Sequence, residues 1–317
     1  RANGTEVAFA LTAGRLDART GDDVLDVSWT YGGGRLTGGV ADATTTMVWD
    51  GALVLSETWS DLFVEGEGVA TVEREYDETF RPVGETVAGV PIVTEYDDDD
   101  LVVAVGAQTM VRDPETGLVT SRLIDEVTVS YLHDQFGALA SIEAVHPVAG
   151  TIYEVAVTRD ALGRVVERVE TVGADLPVTW TYGYDDIGRL VSVTETPDGG
   201  STVTRTYEYD ENGNLVEGPD GTATNTAADR LTSYGARTFD HDLAGDLVSI
   251  TEGADVTSFE YDAAGLLLGV TLPGGAEVAY RHDAADRRVT RLVDGVVEAA
   301  WVYGAGPSPV AQLDASG

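Results

Sequence analysis

One phrase recurs about ten times between Trp49 and Val289: an aromatic residue or its substitute, an Asp, two or three variable residues, a Gly, then Arg-Leu or an equivalent pair. Its clearest copies are Tyr184-Asp185-Asp186-Ile187-Gly188-Arg189-Leu190, Tyr209-Asp210-Glu211-Asn212-Gly213-Asn214-Leu215 and Tyr261-Asp262-Ala263-Ala264-Gly265-Leu266-Leu267. Weaker copies run from Tyr76-Asp77 to Phe80-Arg81, Tyr96-Asp97 to Asp100-Leu101, Arg112-Asp113 to Gly117-Leu118 and Arg159-Asp160 to Gly163-Arg164. Three more begin with histidine: His133-Asp134, His241-Asp242 and His282-Asp283. An Asp opening a tight turn accepts bonds from its own backbone, Gly takes the position with positive φ, and the flanking Tyr, Val, Thr and Leu favour strands. Each copy is thus predicted to be a β-hairpin. A hairpin cannot bury an apolar face alone, so successive copies must stack into one twisting sheet.

From Asp77 to Asp210, successive repeat aspartates are 16 residues apart at the closest, Asp97 to Asp113, and 26 at the widest, Asp134 to Asp160. That holds two strands and two turns, well short of the roughly 40–45 residues of a propeller blade. About ten hairpins would give roughly twenty strands. Strand-like stretches alternate with period two, as in Thr202–Tyr209. The expected fold is all-β: stacked hairpins in a spiralling sheet that forms an open or partial hollow shell, with helices nearly absent. Residues 1–45 fit the phrase poorly, apart from Trp29-Thr30-Tyr31 leading to Gly34-Arg35-Leu36, and are expected to be degenerate repeats or a cap. Residues 46–317 form the shell segment, continuous with them in one elongated domain.

The formal net charge is −36, and all 19 basic residues are Arg. An acidic excess of this size repels nucleic acid and anionic membranes. Coding bias toward Arg, or adaptation to salty surroundings, accounts for it more simply than a dedicated acidic recognition surface. No stretch approaches the roughly 20 apolar residues that span a bilayer. Residue 1 is Arg with no charged-then-apolar leader after it, which suggests a mature or excised piece of something longer. With no cysteine, neither disulfides nor thiolate metal sites contribute.

Enzymatic and ligand readings find little support. His133, His241 and His282 occupy the slot filled by Tyr in sister copies and are read as members of an aromatic ladder rather than metal ligands. The run Asp97, Asp98, Asp99, Asp100 is the best calcium candidate, but it lacks the spacing of an EF-hand loop and its first Asp is the repeat Asp, so a solvated turn is preferred. Asp185-Asp186 and Asp22-Asp23 are weaker. Gly32-Gly33-Gly34-Arg35 lacks the Lys-Ser/Thr ending of a phosphate loop, and no Ser sits in a Gly-x-Ser-x-Gly elbow. The tryptophans and repeat tyrosines are read as a ladder along the sheet in preference to a sugar-binding face. No catalytic residue and no cofactor is expected.

Taken together, these phrases resemble the tyrosine-aspartate (YD, or Rhs) repeats of bacterial Rhs and wall-associated toxins, of the C component of insecticidal toxin complexes, and of animal teneurins. Tyr76–Arg81 resembles that family's YDxxFR unit, Arg159–Arg164 its RDALGR unit, Asp229-Arg230-Leu231 its NRLT unit, and Phe259–Leu267 followed by Tyr280–Asp283 its terminal units. The resemblance covers about residues 45–315. It implies a length of non-enzymatic shell wall, in bacterial members commonly enclosing a C-terminal toxin, on an extracellular or surface protein. Implied partners are the rest of the same polypeptide, namely a downstream plug and toxin-like domain, or other chains joined through the sheet ends. An adhesion or spacer module contacting glycans or proteins is the alternative. Neither plug nor cleavage motif is assigned to residues of this chain.

Overall fold

In the computed structural model, residues 7–21, 24–63, 68–304, 306–315 and 317 are described. They form 31 strands and no helix. These make two antiparallel sheets, 19 strands through Val203–Thr206 and 12 from Glu208–Tyr209 onward, and neither closes into a barrel. The expectation of roughly twenty strands was low. Four strands, Val7–Thr12, Arg15–Gly21, Val27–Gly32 and Arg35–Val40, lie where the phrase is too degenerate to count.

Within each sheet pairing follows chain order, each strand hydrogen-bonded to the one before. Gly150–Arg159, for example, pairs with Val165–Val172, which pairs with Val178–Tyr184. At most repeat turns the register shifts by one residue beside the repeat aromatic, as between Gly183 and Tyr184 or Arg281 and His282. Such bulges sharpen the local twist.

The chain divides into two compact units. The first comprises residues 1–92 and 236–317, the second 93–235. The first holds a true core, in which Trp59, Leu62, Val72, Val289, Ala300 and Val302 are wholly excluded from solvent. In the second unit only Ala104, Ala144, Val155 and Ala223 are buried apolar residues. Along its sheet from Val93 to Thr206 nearly every strand position is half-buried or exposed, as in a single layer with solvent on both faces.

Candidate functional site: interlocked turns and a closing seam

The repeat turn satisfies itself. Asp185 N donates to Arg189 O (2.9 Å) and Gly188 N to Asp185 O (3.0 Å). Asp185 Oδ1 accepts from the backbone of Ile187 (3.1 Å) and Arg189 (2.8 Å), while Oδ2 accepts from Arg189 Nε (2.7 Å). Gly188 has φ +90°, the left-handed conformation that glycine adopts without strain. Asp160 with Arg164 repeats the arrangement, and Asp210 does so with Asn214. Hydrogen bonds from the Arg side chain hold the Asp160 and Asp185 carboxyls below the usual carboxylate range; for Asp77 the first cause is the Thr79 hydroxyl.

Several turns also grip the next hairpin. Tyr209 OH donates to Leu190 O (2.8 Å), and the Arg189 guanidinium stands 4.9 Å from the Tyr209 ring centre. The same pair of contacts joins Tyr184 to Val165 O and Arg164, and Tyr303 to Arg288 O and Arg287. Tyr76 OH likewise reaches Val54 O (3.0 Å). The expected ladder of aromatics side by side is therefore corrected: equivalent residues sit two strands, roughly 9–10 Å, apart, and the rung between them is an arginine.

The N-terminal strands obey the same rule without the Asp. Tyr31 OH donates to Leu16 O beneath Arg15, and Trp49 Nε1 donates to Leu36 O beneath Arg35. The signal available in sequence was the Gly-Arg-Leu half of the phrase, in Gly14-Arg15-Leu16 and Gly34-Arg35-Leu36.

Within the first unit, the last repeat turns fold back onto strands more than two hundred residues earlier. Arg19 makes a two-pronged ion pair with Asp286 (3.0 and 2.8 Å). Leu25 N donates to Asp262 Oδ2, Trp29 Nε1 to Ala284 O, and Ala43 N to His282 O. Asp42 accepts from His282 N through its carboxylate and from Arg281 through its carbonyl. Ala284 packs so closely that a Cβ placed on Gly39 would stand 2.4 Å from its own, so only glycine fits there.

At the centre of this seam lies a buried ionic cluster. Asp283 accepts from Trp59 Nε1 (3.0 Å) and Arg287 Nε (2.8 Å), and Arg287 reaches Glu57 at 2.5 Å. Burial pushes the Glu57 carboxyl up, against the pull of Arg287. A cluster of this kind is strongly destabilised when one partner is removed. Asp286 takes the turn position usually filled by Gly, at φ +60°, and from it clamps Arg19.

Of the repeat-signature residues, Tyr76, Tyr184 and Tyr209 all bond backwards to the preceding hairpin, and Asp77, Asp97, Asp160, Asp185, Asp210 and Asp262 all head their own turns. Gly163, Gly188, Gly213 and Gly265 are left-handed, at φ +81° to +94°. Tyr96 and Tyr261 close their strands in the same register, the latter opposite Leu267, and burial raises the Tyr261 hydroxyl pKa. His133, His241 and His282 stand in that slot too, opposite Leu139, Leu247 and Arg288. In the acidic run, Asp97 Oδ1 accepts from the backbone of Asp99 and Leu101, and Asp100 occupies the left-handed position in the place of Gly. Among the described residues no group of three or more His, Asp or Glu is placed to hold a metal ion; Asp22-Asp23 lie outside them.

These hairpins, with their Asp turns, Arg–Tyr rungs and closing seam, define a YD-repeat shell. The chain belongs to the teneurin YD-shell family, whose model matches residues 35–312. Its fold is similar to the crystal structure of TcdB2-TccC3-Cdc42 (TM-score 0.63, 14% identity, covering 96% of this chain and 20% of that one). The TcdB2-TccC3 structure is similar as well (TM-score 0.61, 14% identity, 96% and 21%). So is the Photorhabdus luminescens Tc holotoxin pore (TM-score 0.58, 13% identity, 96% and 20%). The chain thus spans about a fifth of the length of the chains it resembles. No curated protein sequence matches it.

Proposed function

We infer that this chain is a length of structural wall in a secreted or cell-surface YD-repeat protein, and that the wall encloses another stretch of polypeptide, such as a C-terminal toxin-like domain. The observation that carries this reading is the seam: Trp59 bonds to Asp283 across 224 residues of sequence, beside a largely buried ionic cluster and an apolar core. Two sheets locked together there are built to hold their curvature. The Arg–Tyr rungs serve the same end, since each fixes one hairpin against the next. Neither feature presents groups arranged for bond-making chemistry. On this reading residues 1–45 are degenerate repeats of the same wall, supported by the rungs Arg15–Tyr31 and Arg35–Trp49.

The test is cryo-electron microscopy of the complete gene product. Density for a second polypeptide inside the wall is the expected result. An empty interior, with ordered protein or glycan on the outer surface, would overturn enclosure in favour of adhesion.

A further inference from the structure

From Val93 to Thr206 the sheet register sorts side chains onto two unlike faces. One carries Tyr131, Tyr153 and Trp180 together with Arg122, Arg168 and Arg205. Its strand carboxylates are paired: Glu170 with Arg168 at 2.5 Å and Glu195 with Arg205 at 3.0 Å. The other face is dominated by Thr and Ser, with cross-strand pairs such as Thr194 with Thr204 hydrogen-bonded at 3.1 Å. Its charges are all of one sign. Glu95, Glu143, Glu154 and Glu167 lie on it, none makes an ion pair among the described residues, and no strand arginine shares the face.

Two features are costly in an isolated molecule. Glu143 and Glu154 stand directly opposite each other on neighbouring strands, a like-charge pair that destabilises a sheet. Beside them, Val93, Val111, Leu123 and Leu132 are 57, 60, 44 and 67% exposed, whereas on the opposite face the large apolar side chains that are exposed, Ile124, Val172 and Val203, stand at strand ends. An apolar strip next to carboxylates that lack a counter-charge, Glu143 accepting the Thr151 hydroxyl at 3.2 Å, on a face rich in hydroxyls, complements a segment that alternates apolar and cationic residues.

We propose that this Thr/Ser face of the second unit is a docking surface for a cationic polypeptide segment, with Glu143, Glu154 and Glu167 receiving its Lys or Arg side chains and Val111, Leu123 and Leu132 its apolar ones. The inference requires neither a closed nor a filled shell. Its chemistry is set by charge complementarity on one face of one layer, and the rim turns take no part in it.

The test uses the full chain and a synthetic peptide of alternating lysine and leucine, titrated at low ionic strength and followed by methyl NMR. Shifts should concentrate on Val111, Leu123 and Leu132. The triple variant Glu143→Gln/Glu154→Gln/Glu167→Gln should weaken binding by about tenfold, the sum of three exposed ion pairs. The equally neutralised turn variant Asp98→Asn/Asp186→Asn/Glu211→Gln should change it by less than about twofold. Equal losses in the two triple variants would show that the net charge alone attracts the peptide and would overturn the proposal. So would shifts centred on Val129, Ile142 and Val157 on the opposite face, or no binding. Unchanged circular dichroism of both variants establishes that the comparison is between folded proteins.

Discussion

The two units are built from the same phrase and hold together by different physics. In the second, a turn such as Asp185–Arg189 satisfies its own donors and acceptors and reaches only one hairpin ahead, to Tyr209. Its cohesion is local and repeated, as in solenoids whose stability sums over neighbours. In the first, the same turn geometry at Asp283–Arg287 is driven into a core, where Trp59 and Glu57 complete its bonding. One motif is thus a surface clasp in one setting and a buried lock in another. What differs is what covers it, not the phrase.

Substituting the same arginine in both settings should separate them most sharply. Arg287→Met leaves Glu57 and Asp283 buried without their counter-charge and should destabilise the first unit by about 3–5 kcal/mol. Arg189→Met, at a half-exposed turn, should have a far smaller effect. Urea unfolding followed by peptide-resolved hydrogen exchange checks both; similar losses would erase the distinction between the units.

Acid comes next. Burial lowers the His282 pKa from its ordinary 6.5, although the Asp42 charge opposes the shift. The unfolded chain therefore takes up this proton before the folded one does. The associated stability is fully present above pH 6.5 and is lost as pH falls below it toward the depressed value. Glu57, with its raised pKa, acts in the opposite sense at lower pH, gaining stability as it protonates. In the second unit, Asp160 and Asp185 have lowered pKa values, so their contribution persists until pH falls below the ordinary 3.8. Peptides of the first unit should accordingly begin to lose protection at milder acidity, and His282→Gln should flatten that early slope. An unchanged slope in His282→Gln would remove His282 from the account.

Smaller effects test the rungs and the turns. Tyr184→Phe deletes one hydrogen bond to Val165 O and should cost about 0.5–1.5 kcal/mol, read as faster exchange in the strand Val165–Val172. Phe80 holds the glycine position of its turn at φ +67°. Phe80→Gly relieves that strain and should stabilise the first unit by up to about 1 kcal/mol in thermal unfolding.

The local half of this architecture was legible in sequence because its causes are local. Asp, Gly and the alternating strand residues sit within a few positions of one another, and each copy repeats the test. The rungs were half legible: Arg164 and Tyr184, like Arg189 and Tyr209, recur at one fixed offset in neighbouring copies, but the rule couples adjacent repeats and does not show within one. The seam was not legible at all. Nothing near Trp59 announces Asp283, and nothing near Asp42 announces His282. The phrase containing Asp283 looks like its sisters, while its small tip residue Ala284 gains meaning only against Gly39. The two open faces of the second unit follow from register, which the bulges set and composition does not reveal.

Hydrogen–deuterium exchange on the intact chain at neutral pH tests the central distinction most directly. The strongest protection should fall on Ala70–Tyr76, Arg288–Val293 and Val296–Tyr303 around the seam, with markedly weaker protection across Val127–Thr206. Uniform protection along the chain, or protection strongest in the second unit, would contradict a wall that is locked at one buried seam and elsewhere held only by its turns.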